Sequence, residues 1–311
     1  MKEETDISII IPAYNEQENV SLLYKELKIV LENINKSFEL IFVDDGSTDK
    51  TLENLKYLHE KDSRVKIIVF EKNFKKSAAL SAGFNEAKGR IVFTMDADLQ
   101  DDPKEIPKFL KKLDEGYDLV SGWKFKRFDP ITKTLPSKFF NFLTRKMTGV
   151  NIHDSNCGFK AYKQRVIKNV SVYGELHRYI PALSNWKGFK VGEIKVCHRP
   201  RKFGKSKYGT KRLVSGFLDL ITVKFLTEFD KKPLHFFGSI GLISGFAGFL
   251  MLLYLFILKL FLSKSIGQRP LLLLGILLVI LSVQFFSLGL LGEMVTFNSK
   301  KENYIIKETI Q

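Results

Sequence analysis

Apolar residues follow two regimes along the chain. Up to about residue 232, short apolar runs alternate with segments whose apolar positions recur every three or four residues. "ISIIIPA" reads as a strand closed by Pro12, and Glu16 to Asn33 reads as a helix with Val20, Leu23, Leu27, Val30 and Leu31 on one face. "FELIFVDD" is the next strand, "TLENLKYLHEK" a helix and "VKIIVFE" a third strand. A helix over Ser77 to Ala87, the strand "RIVFTMD", a helix over Pro103 to Glu115 and the strand "YDLVSGW" complete the series. This alternation predicts an α/β domain with a mainly parallel sheet and helices on its faces. The second regime begins near residue 233. Leu234 to Phe261 holds Lys259 as its one clear charge, and Pro270 to Gly292 holds none. Both stretches exceed the ~20 residues that cross a bilayer as a helix, so two membrane spans are expected.

Between the two regimes, Val214, Phe217, Leu218, Ile221 and Phe225 give the segment 213–232 an apolar side, as expected of a helix lying along a membrane surface. The predicted organisation is therefore a catalytic-type α/β domain over 1–212, an amphipathic juxtamembrane helix over 213–232, two spans within 233–293 and a cytoplasmic tail over 294–311. The amino terminus, "MKEETDISIIIPAYNE", places acids before a short apolar run and reads as no secretory signal. The first 230 residues are thus expected in the cytoplasm, with Lys231, Lys232, Lys300 and Lys301 flanking the spans on that side.

The chain has 311 residues, with 49 Lys and Arg against 34 Asp and Glu, for a net charge of +15. The excess gathers in "GWKFKR", around Lys133 and in "RPRKFGKSKYGTKR", close to the first span. Basic segments beside a membrane meet anionic headgroups or a lipid phosphate more simply than nucleic acid. Cys157 and Cys197 are too few for a disulfide framework and read as ordinary small residues.

Against that basic background, "TMDADLQDDP" crowds Asp96, Asp98, Asp101 and Asp102 after one strand. Ionised together they repel, so the cluster calls for a compensating cation or exposure to water. Asp96 and Asp98 could meet one divalent ion, with Gln100 as a third oxygen; hard ions such as Mg²⁺ or Mn²⁺ take such ligands together with substrate phosphates. Two more strands end in polar clusters, "PAYNE" and "VDDGSTD". Ligands of open α/β sheets bind at the carboxyl ends of the strands, so one shared site is expected. In "VDDGSTDKT", Gly46 suits a tight turn, Ser47 or Thr48 is expected to cap the following helix, and one of Asp44 and Asp45 is expected to face the site. "GKS" at 204–206 lacks the glycine a Walker loop needs at position 199, which is Arg199, so it is no NTPase loop.

The ordered set "IIPAYNE", "VDDGSTD", "MDADLQ", "HDSNCGF" and "RKFGKSKYG", followed by two spans, resembles the family 2 glycosyltransferases that charge a polyprenyl phosphate. Its relatives include dolichyl-phosphate mannose synthases and bacterial undecaprenyl-phosphate glucosyltransferases. The resemblance implies a GT-A fold, a nucleotide-sugar donor, a divalent metal (Mg²⁺ or Mn²⁺) and inversion at the anomeric carbon. By its motifs Pro12, Tyr14, Glu16, Asp45 and Asp96 would hold the nucleotide, and Asp96, Asp98 and Gln100 the metal. Asp101 and Asp102, just before Pro103, would cap the next helix. Lys124 would grip the lipid phosphate, with Lys126, Arg127, Lys133, Ser137 and Lys138 as candidates in the same loop. Arg201, Ser206 and Lys207 would clamp diphosphate or acceptor phosphate, and Asp98, Asp154 and Arg201 are the catalytic candidates, Asp154 as a base. Trp123, Trp186 and His177 could touch the sugar or serve as core and surface residues.

The expected reaction moves a hexose, with glucose first, from a UDP-sugar to undecaprenyl phosphate at the cytoplasmic membrane face. GlcNAc, galactose and mannose stay open as donors. The resemblance also implies that such enzymes can assemble as homo-oligomers, tetramers among them. A processive polysaccharide synthase would carry a Gln-x-x-Arg-Trp motif, which the chain lacks. A non-catalytic scaffold would have lost part of the aspartate cluster, which the chain keeps.

Overall fold

The computed structural model describes residues 5–125, 141–203, 212–229, 232–262 and 269–298, with 265 and 267. The chain divides into two units that meet within one helix, at Val223 and Lys224.

The first unit is built on a seven-stranded sheet in the order β3-β2-β1-β4-β6-β5-β7. Its strands are β1 (Ile7–Ala13), β2 (Phe38–Asp44), β3 (Val65–Val69), β4 (Ile91–Thr94), β5 (Leu119–Lys124), β6 (Lys160–Lys163) and β7 (Val191–Val196). Helices α1 (Val20–Ile34), α2 (Thr51–Lys61), α3 (Lys75–Glu86) and α4 (Ile106–Asp114) follow the first four strands in turn. β3, β2, β1 and β4 pair in parallel, as the alternating pattern predicts. β6 runs antiparallel between β4 and β5, which makes the sheet mixed. Ile7, Ile9 and Ile11 of β1 are fully buried, and Phe93, Phe109 and Phe159 pack edge-to-face and tilted against one another between the sheet and α4. Burial of these apolar faces is the main stabilising term of the domain.

Residues 141–148 are helical (α5), and two short helices flank the segment before β7: α6 (Gln164–Asn169) and α7 (Ile180–Trp186). α8 (Arg212–Glu228) falls where the amphipathic helix is expected; Leu220 and Val223 are fully buried, whereas Ile221 is exposed.

The second unit is a pair of long apolar helices, α9 (Pro233–Leu262) and α10 (Pro270–Asn298). Both are long and apolar enough to cross a membrane. They meet through small residues: a Cβ on Gly248 would lie 2.8 Å from the Gly275 carbonyl oxygen. Close backbone approach of this kind is how helices associate without a hydrophobic driving force between them. Outward-facing Ile243, Phe246 and Phe261 are exposed, as lipid-facing side chains would be.

Candidate active site

The carboxyl ends of β1, β2 and β4 converge on one edge of the sheet. Asp45 donates its backbone N–H to the Ala13 carbonyl (2.8 Å), which fixes the β2 turn against the β1 turn. Ser47 and Thr48 tie the same turns together, since Asn15 N donates to Ser47 Oγ (2.9 Å) and Thr48 N donates to Asn15 Oδ1 (2.8 Å). The expected capping of α2 by Ser47 or Thr48 is thus corrected. Asp49 does that work, accepting from Thr51 N at 2.9 Å.

Of the expected nucleotide residues, Pro12 lies in β1 opposite Val43, and Tyr14 follows it at the strand end. Glu16 is buried, donating its N–H to Thr51 Oγ1 (2.8 Å) and accepting from Asn19 Nδ2 (2.6 Å). Asp45 accepts from Phe74 N (2.6 Å) at the start of α3, and burial pushes its carboxyl above the usual range. Asn15, Lys75 and Leu99 take left-handed backbone angles at the edges of these turns, with φ of 52°, 71° and 60°. Non-glycine residues persist in that region only where surrounding contacts hold them, commonly at functional sites.

After β4 the four aspartates answer the question of repulsion one by one. Each meets a cation from elsewhere in the chain. Asp96 pairs with Lys76 of α3, Asp98 Oδ2 lies 2.6 Å from Arg201 Nη2, Asp101 lies 2.9 Å from Lys124 Nζ, and Asp102 lies 2.6 Å from Arg199 Nη2. Arg201 reaches the turn because the chain after β7 runs back beside it. Arg199 N donates to the Gln100 carbonyl (2.8 Å), and Asp101 bridges His198 in antiparallel fashion. The same Arg201 nitrogen donates to Gln100 Oε1 at 3.3 Å. Asp102 caps the turn before α4 by accepting from Lys104 N (3.0 Å), as expected. Asp101 does not cap, and is instead buried with Lys124.

The two aspartates expected to hold a metal are electrically unlike. Burial would raise the Asp96 carboxyl, but Lys76 and Lys124 outweigh it and hold the group at about 2. Burial, then the Asp96 charge, push Asp98 up to about 6 against the pull of Arg201. Among the described residues no three His, Cys, Asp or Glu side chains cluster as a metal cage. The donor set of two carboxylates and Gln100 Oε1 still fits Mg²⁺ or Mn²⁺, which accept one or two carboxylates when phosphate oxygens complete the shell.

Lys124 is largely enclosed, and its pairing with Asp101 raises its pKa despite burial. Asp154 is buried, and its backbone carbonyl accepts from Ser121 Oγ at 3.5 Å. Lys126, Arg127, Lys133, Ser137, Lys138, Ser206 and Lys207 lie outside the described residues. Trp123 stacks on His153 at 4.1 Å between centroids, and Trp186 is exposed. His177 is brought to the site, bonded through Nδ1 to Ser77 Oγ at 2.8 Å.

Sequence reasoning missed Lys76 and Lys160, two lysines whose charges act on Asp96, because neither falls within the quoted motifs. Lys160 sits in β6 opposite Thr94, is buried, and donates to the Cys157 carbonyl. An isolated lysine flanked by the apolar Phe159 and Ala161 was its only signal.

Residues 8–171 match the family described as Glycosyl transferase family 2. The chain is 38% identical over 97% of its length to a dodecaprenyl-phosphate galacturonate synthase from Rhizobium johnstonii, covering 92% of that protein. It is 34% identical over 92% of its length to an undecaprenyl-phosphate 4-deoxy-4-formamido-L-arabinose transferase from Pseudomonas aeruginosa, covering 84% of it. Among solved structures, it superposes on glucosyl-3-phosphoglycerate synthase from Mycobacterium tuberculosis in complex with Mn²⁺, UDP-glucose and phosphoglyceric acid. That match has a TM-score of 0.53 and 18% identity, over 73% of this chain and 80% of the other. That likeness shows the same mixed-sheet GT-A fold. The family match over residues 8–171, with the two near full-length relatives, shows that this chain belongs to glycosyl transferase family 2.

Proposed function

We propose that the protein transfers a sugar from a nucleotide-diphosphate donor to a polyprenyl phosphate at the membrane surface, with inversion at the anomeric carbon. The observation that carries this reading is the Arg201 clamp on Asp98 and Gln100 at the end of β4, beside the strand ends where a nucleotide would lie. Near full-length likeness to two enzymes named for polyprenyl-phosphate sugar transfer, and the two long apolar helices, support a lipid acceptor.

In this reading the β1 and β2 turns, with Pro12, Tyr14, Glu16 and Asp45, receive the nucleotide. Asp96, Asp98 and Gln100 hold Mg²⁺ or Mn²⁺, which supplies positive charge to the diphosphate when bound. Arg201, and with it Ser206 and Lys207, stabilises the leaving diphosphate. One phosphate oxygen of the acceptor forms the new bond to the anomeric carbon while the bond to the nucleotide diphosphate breaks. That oxygen is already anionic at neutral pH, so positioning by Lys124 and the basic segment after it counts for more than proton removal. Asp154, buried near Lys160, is proposed as the base or as a fixed charge facing the reacting centre.

Domain 1–212 would be the catalytic part, 213–232 the membrane-surface helix and 233–293 the two-span anchor. The enzyme would work at the cytoplasmic face of the cell membrane. Glucose, implied by the motif resemblance, and galacturonate, named for the Rhizobium relative, are the first donors to separate. The test is transfer of radiolabelled sugar from UDP- and GDP-sugars to undecaprenyl phosphate by purified protein in detergent, with Mn²⁺ or EDTA. A lipid product that needs the metal is expected; no lipid product from any donor would refute the reading.

A further inference from the structure

A narrow recess opens beside Asp96 on the α3 face of the sheet. Lys76, Thr94, Asn156, Gly158, Lys160 and His177 supply its polar walls, and no acidic side chain is among its lining residues. Its interior has room for one water-sized group, such as a single carboxylate oxygen, and too little for a sugar ring. Gly158 closes it against the Asp96 carboxylate, since a Cβ there would lie 2.5 Å from Asp96 Oδ2.

We propose that this recess receives an acidic substituent of the donor sugar, a uronate carboxylate, on the ammonium groups of Lys160 and Lys76. The proposal rests on the transferase reading, because it places the sugar next to the diphosphate held at Asp96.

Three observations carry it. First, Lys160 is 3% exposed and donates to one backbone carbonyl, that of Cys157. An ammonium has three donors, and a buried charge is costly unless matched by an opposite one. Burial accordingly holds Lys160 below the ordinary lysine range. Asp96 and Asp154 supply charge nearby, and an incoming carboxylate oxygen would take a second hydrogen bond from the ammonium. Second, Lys76 lines the same recess while its ammonium pairs with Asp96, so it can bridge the aspartate and an anionic substituent. Third, His177 is held at the recess wall as an uncharged ring. Ser77 Oγ accepts from His177 N (3.3 Å) and is hydrogen-bonded to His177 Nδ1 (2.8 Å). Burial and the nearby Lys76 hold the ring at about 2, so it adds no charge. Two lysine ammonium groups and an uncharged ring, with Asp96 already paired to Lys76, suit a carboxylate better than the hydroxymethyl group of a neutral hexose.

The experiment measures binding of UDP-galacturonate and UDP-galactose to the full-length protein in detergent with Mn²⁺, by titration calorimetry, without acceptor. These donors differ only at C6. The wild type should bind the uronate ~10- to 100-fold more tightly, as expected for hydrogen bonds to a charged group. Lys160→Met should bring the two affinities to within about threefold, chiefly by weakening the uronate. Lys76→Gln, at a less buried position, should also narrow the ratio, and it serves if Lys160→Met fails to fold in a thermal unfolding check. Equal wild-type affinities, or a ratio that neither variant moves, would overturn the proposal. A preserved uronate preference without any transfer to lipid would uphold the recess and refute the acceptor reading instead.

Discussion

Arg201 Nη2 lies 2.6 Å from Asp98 Oδ2, joining residues 103 positions apart. The contact exists because residues 198–201 fold back along the aspartate turn, pinned by the Arg199 N to Gln100 O bond and by Arg199 reaching Glu26 (2.6 Å) and Asp102. One cation thereby orients both Asp98 and Gln100.

Arg201→Ala should lower the rate of sugar transfer by about 10²- to 10³-fold, the usual cost of removing one charged stabiliser of a leaving group. Arg201→Lys should recover little, because an ammonium cannot span Asp98 and Gln100 as the planar guanidinium does. Asp98→Ala should abolish transfer while leaving the fold intact. Initial rates with radiolabelled donor and unfolding curves decide all three; near-normal turnover of Asp98→Ala in metal-supplemented buffer would sink the assignment.

Gly158 leaves no room beside Asp96, since a Cβ there would come within 2.5 Å of that carboxylate. Gly158→Ala is therefore expected to push Asp96 out of place while costing little stability, since the atom displaced ends a side chain. The loss should appear as a higher Mn²⁺ requirement for transfer. Wild-type metal dependence in a folded Gly158→Ala protein would rule this geometry out.

The parallel half of the sheet was legible because its strands are unbroken apolar runs such as "ISIII", bounded by helices with clear periodicity. The strand β6, "KAYK", was not legible. It is four residues long, begins with a buried lysine, and is a strand only because β4 and β5 flank it. The acidic side of the site was legible for a similar reason, since Asp96, Asp98 and Gln100 are neighbours in sequence. The cations that answer them come from α3, β5 and the stretch after β7, and no local pattern joins those segments. Sequence likewise gave Asp101 a capping role, and burial beside Lys124 overrode it.

Gly46 has φ of +70°, and a Cβ would meet the Lys72 backbone carbon at 2.5 Å. Both the left-handed backbone and the clash with main chain oppose any side chain there. Gly46→Ala should destabilise the sheet domain by about 1–3 kcal/mol, read as a lowered unfolding midpoint. An unchanged midpoint would contradict the described turn.

Asp62 accepts from Arg64 N (3.0 Å), Arg64 Nε (2.9 Å), Arg64 Nη2 (2.8 Å) and Tyr24 OH (2.8 Å). The Arg64 hydrogen bonds hold its carboxyl well below the usual range, despite burial. A carboxyl lowered on folding adds stability above its unfolded pKa of about 3.9, and that contribution fades as pH falls through the folded value. Asp62→Asn should therefore be less stable than wild type at pH 7, and the gap should shrink as pH drops below about 4. Parallel unfolding curves across that range would show that the network contributes nothing through its charge.

Asp98 makes metal affinity depend on pH. Its carboxyl is pushed up to about 6, first by burial and then by the ionised Asp96 beside it. A metal binds the deprotonated ligand, so below that pH each bound ion must displace one proton. Mn²⁺ affinity in the presence of UDP should be flat above pH 7 and fall toward tenfold per pH unit below about 6, the slope of a single competing proton. Arg201 pulls the Asp98 pKa down, so Arg201→Ala should move the break in this profile to higher pH as well as slowing transfer. Calorimetric titration of wild type and Arg201→Ala between pH 5 and 8 reads both effects. A wild-type affinity independent of pH, or a break that moves downward in the variant, would show that Asp98 is not the ligand whose proton is displaced.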